Sequence, residues 1–365
     1  MLRYRPAIDR LATSIHGGID YEELKKLGIS PEAVLDFSVS INPFGSPPGI
    51  REALASTSAE QYPDPEATEL RQALAKKLNI CPDRLMVGSG STELIRLIAE
   101  AYFEPDDLVI IPQPTYSEYE TACHLAAAQI IKQPIVMEPD FHPDISEITN
   151  LVKEHRPKAL FLCNPNNPTG QYVSREEVMN IMSSAPESLI VLDEAYVAFT
   201  ENAWASVDLI SDSNLVILRS MTKDYALAGL RLGYAVANES IISVLKRVRP
   251  PWNVNSAAQK AGLIALNNDR HITGCCNKIK KAKKFLINEL EHLGLSPLPS
   301  QTNFFLVRVG NAAVFRQALL NKGILVRDCT SFGLPQYIRL APRTLPDCRK
   351  LIEIIKDTGV LSHAR

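Results

Sequence analysis

The sequence has no long hydrophobic run and no surplus of charge. Its longest apolar stretches, such as residues 159–163 and 189–192, are far shorter than the roughly 20 residues of a membrane-spanning helix. Charged residues near the start are followed by no apolar segment, so we expect no secretory signal peptide. The 39 basic and 41 acidic residues give a formal net charge of -2, which favours neither nucleic acid nor an anionic membrane as a partner.

The seven cysteines lack the spacing of a disulfide framework or a zinc site. Their number is odd, their spacing is irregular, and no C-x-x-C occurs. This pattern predicts reduced thiols in a cytoplasmic protein. The adjacent Cys275 and Cys276 could form a redox pair, but unpaired thiols are the expectation for a chain of this length.

Short apolar runs alternate with helical patterns in the central part of the chain. Four such runs, at residues 108–111, 159–163, 189–192 and 215–218, are typical of strands that are buried on both faces of a parallel sheet. Residues 92–103 have a broad apolar face, and Ser174 begins a capping-box pattern. The alternation predicts an α/β fold with a mixed, mostly parallel sheet flanked by helices.

The length of 365 residues favours two domains. We predict an N-terminal arm over residues 1–45, a large domain over 46–255 and a small α+β C-terminal domain over 256–365. The small domain is expected to contain a long helix over about 256–293 and a final helix over 346–358. Its short strands are predicted at residues 304–309, 324–327 and 337–340. The arm is rich in turn signals and is expected to pack on the small domain.

The strongest chemical signal is Lys223, which follows the strand predicted at residues 215–218. Open parallel sheets bind ligands at the carboxyl ends of their strands. A lysine in low-dielectric surroundings can lose its proton and become a nucleophile. Ser220 and Arg231 flank it at positions suited to an anion, since arginine offers a bidentate fork to phosphate. Considered alone, a lysine after a strand is more often structural or solvated.

Three further segments place polar groups beside predicted strands. Residues 164–170 read Asn-Pro-Asn-Asn-Pro-Thr-Gly, Asp193 follows the run at 189–192, and a Gly/Ser-rich loop at 88–92 precedes a helix. A helix N-terminus offers free N–H groups and a positive dipole end, which suit phosphate. Each segment also has a structural explanation, as a turn, a helix cap or a simple loop.

In this order, the segments resemble the motifs of fold-type I enzymes that use pyridoxal 5′-phosphate (PLP), the aspartate aminotransferase superfamily. The Ser-x-x-Lys motif, followed by a glycine and by an arginine eight residues after the lysine, matches at Ser220, Lys223, Gly229 and Arg231. The resemblance extends over about residues 38–340. It implies that PLP is linked covalently to the Lys223 amine and that the substrate is a small amino-acid-like molecule.

The resemblance also implies which residues hold PLP. For Tyr116 it implies stacking on the cofactor ring, with ordinary core packing as the alternative. For Tyr62 it implies contact with the cofactor phosphate of a neighbouring subunit, and hence a homodimer with shared active sites. The other residues are assigned to the cofactor phosphate (Gly90, Ser91, Thr92, Ser220, Arg231), the pyridine nitrogen (Asp193) and the phenolic oxygen (Asn167, Tyr196).

Two subfamilies are similar to different parts of the chain. Residues 167–170, 193–196 and 227–234 resemble histidinol-phosphate aminotransferases. Residues 16–18, 36–45, 251–255 and 327–329 resemble threonine-phosphate decarboxylases of cobalamin biosynthesis. The resemblance to the decarboxylases is closer at their distinctive segments. The expected function is therefore decarboxylation of O-phospho-L-threonine to (R)-1-amino-2-propanol phosphate. The alternatives are histidinol-phosphate transamination in histidine biosynthesis and decarboxylation of O-phosphoserine.

Both subfamilies act on an amine that carries a phosphate ester. The resemblance implies that Arg327 and Arg339 bind the substrate anion, with His16 and Asn42 assisting from the arm. Surface ion pairs for the arginines and a turn position for His16 are the alternatives. A regulatory protein without turnover is a further possibility, but the first 45 or so residues are too few for an added DNA-binding domain.

Overall fold

The computed structural model describes residues 2–11, 15–136, 140–211 and 213–363. Its helices are α1 (Tyr21–Leu27), α2 (Ile50–Ala55), α3 (Thr68–Leu78), α4 (Ser91–Tyr102), α5 (Glu118–Leu125), α6 (Ile145–His155), α7 (Arg175–Ser184), α8 (Glu239–Val248), α9 (Ser256–Leu266), α10 (Asp269–His292), α11 (Ala312–Leu320) and α12 (Leu345–Asp357). Its strands are β1 (Leu35–Asp36), β2 (Leu85–Gly88), β3 (Leu108–Gln113), β4 (Gln129–Pro134), β5 (Ala159–Cys163), β6 (Leu189–Asp193), β7 (Leu215–Ser220), β8 (Gly233–Val236), β9 (Ser296–Pro297), β10 (Phe305–Arg308), β11 (Ile324–Leu325), β12 (Arg327–Asp328) and β13 (Tyr337–Leu340).

A seven-stranded sheet in the order β2-β8-β7-β6-β5-β3-β4 forms the centre of the chain. Strands β3 to β7 are parallel, and β8 is antiparallel to both of its neighbours. Alternate residues of β5 enter different hydrophobic clusters: Leu160 packs with α3, α6, α7 and α9, whereas Phe161 packs with α4, α5 and α8. The sheet is thus covered by helices on both faces, and the predicted α/β fold is confirmed.

A second, antiparallel sheet in the order β12-β13-β10-β9 lies in the C-terminal third. Its hydrophobic cluster includes residues of α10, α11 and α12, and it also takes in Phe37 from the N-terminal part. Strand β1 pairs in parallel with β11, where Leu35 lies opposite Ile324. The segment around residues 35–37 therefore packs on the C-terminal third. The predicted boundaries at residues 45/46 and 255/256 stay a prediction.

The helix predicted over residues 256–293 is two helices, α9 and α10. Asn267 and Asn268 separate them, and their side-chain amides donate to the backbone carbonyls of Leu263 (3.1 Å) and Ile264 (2.8 Å). Such side-chain bonds to the backbone compete with helix continuation. Within the described ranges, no helix is both long and apolar enough to cross a bilayer.

The strand register brings several chain segments to one edge of the large sheet. Cys163 at the end of β5 lies beside Asp193 at the end of β6, and Asp193 lies beside Leu218 of β7. Because β8 runs in the opposite direction, its first residue, Gly233, lies opposite Ser220 at the end of β7. The polar residues that follow these strands are therefore gathered at the edge where ligands bind in open α/β sheets.

Candidate active site

A cavity of about 480 Å³ lies at this edge. Its size suits a small-molecule ligand. All but three of the predicted site residues belong to the wall. Those in the wall are His16, Ser91, Thr92, Tyr116, Asn167, Asp193, Tyr196, Ser220, Lys223, Arg231, Arg327 and Arg339. Residues from the arm, the large sheet and the C-terminal sheet thus meet around one cavity.

Lys223 is the candidate nucleophile of the cavity. Burial, followed by the positive charges of Arg339 and Arg231, lowers the pKa of its amine to about 8, against the opposing effect of Asp193. The Nζ atom lies 5.9 Å from the centroid of the Tyr196 ring. A lysine with this pKa is neutral in an appreciable fraction of molecules near neutral pH, so it can act as a nucleophile or a base.

Asp193 is a fully enclosed carboxyl group with two fixed hydrogen bonds. The Tyr119 hydroxyl donates to Oδ2 at 2.8 Å, and the Ala195 N–H donates to Oδ1 at 3.0 Å. Burial raises the pKa of this carboxyl to about 6, so it is an anion at neutral pH. Tyr119 stacks on Phe161 with ring centroids 4.9 Å apart, which fixes the donor. A carboxylate held in this way can accept a hydrogen bond from a protonated ring nitrogen.

The N-terminus of α4 and Arg231 form a cradle suited to phosphate. Gly90 precedes the helix with φ +81°, and a Cβ atom built there would lie 2.9 Å from the Arg231 guanidinium. A Cβ atom at Gly233 would lie 2.9 Å from the Ser91 N atom. The absence of both side chains lets helix α4, strand β8 and Arg231 converge beside Ser220. Free N–H groups, a hydroxyl and a guanidinium then share one small volume.

Substituting Gly90 by alanine is expected to weaken cofactor binding by roughly 10- to 100-fold, because the methyl group meets Arg231 and the positive φ disfavours an L side chain. The dissociation constant of PLP, measured by equilibrium dialysis, tests this expectation. Gly229→Ala is the matched control, since a Cβ atom at Gly229 meets nothing within 4 Å. Equal dissociation constants for both variants and the unchanged protein would contradict the cradle.

Two buried arginines also line the cavity. Arg327 and Arg339 lie opposite each other on β12 and β13. Arg339 donates to the Asn167 Oδ1 atom and, at 2.7 Å, to the Ser38 carbonyl, while its guanidinium lies 4.9 Å from the Phe304 ring centroid. Burial and the neighbouring Arg339 charge lower the pKa of Arg327. Two adjacent buried cations favour an anionic ligand.

Three predicted site residues are not on the cavity wall. Gly90 lies behind it, under Arg231. Asn42 donates from its backbone to the Lys223 carbonyl at 2.8 Å and from its side chain to the Asp224 carbonyl at 2.9 Å, so it holds the lysine segment. Tyr62 is 78% exposed and stacks on Trp252 at 4.3 Å. The sequence roles of these residues stay predictions.

The structure adds cavity residues that the sequence did not single out. Glu118 is buried in the wall, forms an ion pair with Arg96 (3.2 Å) and contacts the His16 Nε2 atom (3.4 Å). Tyr119 supplies the hydrogen bond to Asp193. Both residues follow Tyr116 directly in the segment Tyr-Ser-Glu-Tyr, which was the available signal. Their partners are distant in the chain, so only the fold assigns them.

The cavity residues fit the cofactor that the motifs imply. A phosphate fits the cradle that a Cβ atom at Gly90 would fill. A pyridine nitrogen can pair with the buried Asp193 carboxylate, and an aldehyde can react with an amine of lowered pKa at Lys223. The side chains of Asn167 and Tyr196 lie in the same wall as possible partners of a phenolic oxygen.

Comparison with known proteins gives a consistent picture. The family model for aminotransferase class I and II matches residues 32–355. A histidinol-phosphate aminotransferase of Symbiobacterium thermophilum is 34% identical over 98% of both chains. The crystal structure of the histidinol-phosphate aminotransferase from Clostridium acetobutylicum is 28% identical, with a TM-score of 0.81, over 90% of this chain and 99% of the other.

The comparison corrects the expected reaction. The structure of L-threonine-O-3-phosphate decarboxylase from Porphyromonas gingivalis is also similar, with 29% identity and a TM-score of 0.78 over 88% of this chain and 98% of the other. Curated relatives at 33–39% identity, however, are histidinol-phosphate aminotransferases. The prediction of O-phospho-L-threonine decarboxylation in cobalamin biosynthesis is therefore wrong. Segments such as 16–18 and 251–255 misled because motifs that hold PLP and a phosphate do not determine which substrate bond breaks.

Proposed function

Because the chain belongs to the aminotransferase class I and II family, we propose that it transfers an amino group between histidinol phosphate and a 2-oxo acid such as 2-oxoglutarate. The observation that carries the proposal is the 33–39% identity to histidinol-phosphate aminotransferases over most of the chain. The paired arginines, which line the same cavity as Lys223, support it, because they suit an amine that bears a phosphate.

PLP is the cofactor of the family, and the cavity wall provides for each of its polar groups. We assign its phosphate to the cradle of α4, Ser220 and Arg231, its ring face to Tyr116, and its ring nitrogen to Asp193. Asn167 and Tyr196 are assigned to the phenolic oxygen. When bound, PLP acts as an electron sink for negative charge that develops on the substrate.

Lys223 has two roles in the proposal: it attaches the cofactor, and it moves the proton of the substrate Cα atom once it is released. At pH 7.5, an amine with a pKa of about 8 is neutral in roughly a quarter of molecules, against about 0.1% for an ordinary lysine. The lysine can therefore accept the proton without a large energetic penalty. The positive charges of Arg231 and Arg339 help to keep its pKa low.

Asp193 keeps the ring nitrogen protonated, because an anion fixed by Tyr119 and the Ala195 N–H favours a proton between carboxylate and ring. The buried walls of Phe161 and Tyr119 exclude water from this contact. Arg327 and Arg339, in the same cavity, bind the substrate phosphate and thereby hold the amine near Lys223.

Substituting Arg327 by lysine is expected to raise KM for histidinol phosphate by roughly 10- to 100-fold, because lysine keeps the charge and loses the bidentate fork. Histidinol, which lacks the phosphate, should react equally slowly with both proteins. Arg343→Lys is the matched control, since Arg343 pairs with Asp347 (3.2 Å) and the Asp36 carbonyl outside the cavity wall. The kinetic constants of the three proteins with both substrates test the phosphate assignment.

The proposed function is tested by incubating the PLP-loaded protein with histidinol phosphate and 2-oxoglutarate. The proposal predicts one glutamate for each histidinol phosphate consumed, and none when either substrate is left out. Histidinol phosphate that is recovered unchanged, from protein that carries its full complement of PLP, would contradict it.

We also propose that the active protein is a homodimer. The stacked Tyr62 and Trp252 rings are 78% and 44% exposed, which suits an aromatic contact with a second subunit. Tyr62 of each subunit is then placed to reach the cofactor phosphate of the other. The cytoplasmic location stays a prediction.

A further inference from the structure

Two residues of the N-terminal arm, Ile15 and His16, cover the cavity without being packed into it. Both belong to the cavity wall, yet Ile15 is 61% exposed and the His16 side chain is 50% exposed. Little apolar surface is buried by this segment, so its position depends mainly on polar contacts. These contacts involve Glu118 and Arg327, which both line the cavity.

The imidazole ring of His16 contacts Glu118. The Nε2 atom lies 3.4 Å from Glu118 Oε1, and the ring centroid lies 5.9 Å from that of Tyr116. Glu118 is buried, and its second oxygen, Oε2, pairs with Arg96 at 3.2 Å. Arg96 compensates part of the negative charge, while Oε1 faces an imidazole. The distance of 3.4 Å is longer than that of a strong hydrogen bond, so another imidazole can replace the His16 ring at this contact.

Backbone oxygens of the same two residues bind Arg327. The guanidinium donates to the Ile15 carbonyl at 2.6 Å and to the His16 carbonyl at 3.3 Å, and it also donates to the Ser331 hydroxyl at 2.6 Å. Two oxygens on one guanidinium fork is the arrangement that a phosphate adopts. The arm therefore presents an imidazole to Glu118 and two oxygens to Arg327. An imidazole-bearing phosphate ester offers the same groups.

We propose that Glu118 is the specificity-determining residue for the imidazole end of the substrate, and that His16 occupies this subsite until the substrate displaces it. The inference rests on the proposed function, which supplies a substrate with an imidazole and a phosphate. Exchange of one imidazole for another leaves the buried Glu118 carboxylate partnered throughout. A substrate without the ring has nothing with which to replace His16.

The subsite is tested with 4-methylimidazole, a probe that carries neither an amine for transfer nor a phosphate. Its dissociation constant for the PLP-loaded protein is measured by NMR titration. We expect His16→Ala to tighten binding by about 10-fold, because the competing ring is removed, and Glu118→Gln to weaken it by about 10-fold, because the charged acceptor is lost. The double variant should bind as weakly as Glu118→Gln.

Glu120→Gln is the matched control, since Glu120 lies on the same helix and pairs with Lys132 outside the cavity wall. It should bind the probe as the unchanged protein does. The absorbance of bound PLP verifies that each variant is folded. Equal dissociation constants for the unchanged protein, His16→Ala and Glu118→Gln would overturn the subsite.

Turnover of histidinol phosphate supplies the second readout. Glu118→Gln should raise KM by about 10-fold and change kcat by less than about 2-fold, because a contact with the ring binds the ground state and the transition state equally. A loss of kcat without a change in KM would assign Glu118 a structural role and contradict the subsite. If no variant turns over histidinol phosphate but the probe still discriminates among them, the proposed function fails and the imidazole subsite stands.

Discussion

Replacing Lys223 by alanine is expected to lower the kcat of amino transfer by at least ~10⁴-fold, because the variant loses both the attachment point of PLP and the base that moves the Cα proton. Among the described residues, Lys223 is the one lysine in the cavity wall. The visible absorbance of PLP bound to an amine should also disappear from the purified protein. Steady-state kinetics and an absorbance spectrum measure the two effects.

Lys283 provides a demanding control, because burial lowers the pKa of its amine to about 8 as well. It donates to the carbonyls of Ser300 (2.6 Å) and Thr302 (2.8 Å) and lies outside the cavity wall. Lys283→Met should therefore keep the visible absorbance. An absorbance that survives in Lys223→Ala and is lost in Lys283→Met would show that the cofactor lysine has been assigned to the wrong residue.

Replacing Asp193 by asparagine is expected to lower kcat by roughly 10²- to 10³-fold, since a neutral amide no longer keeps the ring nitrogen protonated. Asparagine retains the shape of the side chain and offers an oxygen to Tyr119 or to the Ala195 N–H. PLP should remain bound, because the cradle and Lys223 are unchanged. An unaltered kcat would contradict a catalytic role for Asp193.

The same substitution is expected to lower activity without lowering the stability of the fold. Burial raises the Asp193 pKa from 3.8 to about 6, so the folded protein binds a proton more tightly than the unfolded chain does. The stability that this group contributes is present below pH 4 and is lost as the pH rises through 6, a change of at most ~3 kcal/mol. Asp193→Asn should therefore be at least as stable as the unchanged protein at pH 7. Urea unfolding without added PLP, at pH 7 and pH 4, measures the difference.

The local parts of the fold could be predicted from the sequence. The apolar run at residues 159–163 became β5, and Ser174 caps α7 with the predicted reciprocal bonds to Glu177. These features depend on hydrophobic periodicity and on contacts within one turn of helix, both of which are visible in a single segment. The break between α9 and α10 was missed because it depends on how two asparagine side chains compete for backbone carbonyls.

Site residues could be predicted from the sequence where they belong to a short motif. They could not be predicted where their role depends on a partner that is distant in the chain. Asp193 ends β6, Lys223 follows β7 and Arg231 precedes β8, and all three residues line the cavity. Glu118 contacts His16 in the arm and Arg96 on another helix, and only the folded chain brings these three residues together. The substrate was mispredicted for a related reason, since the choice of bond depends on geometry that no short motif encodes.

The proposed transfer of an amino group from histidinol phosphate by Lys223 and PLP is best tested by a single turnover without any 2-oxo acid. Histidinol phosphate is expected to remove the visible absorbance of the loaded protein and to release one oxo product per site, after which the reaction stops. Addition of 2-oxoglutarate should restore the absorbance with release of one glutamate per site. A spectrum that does not respond to histidinol phosphate, or that recovers before 2-oxoglutarate is added, would contradict the proposed transfer.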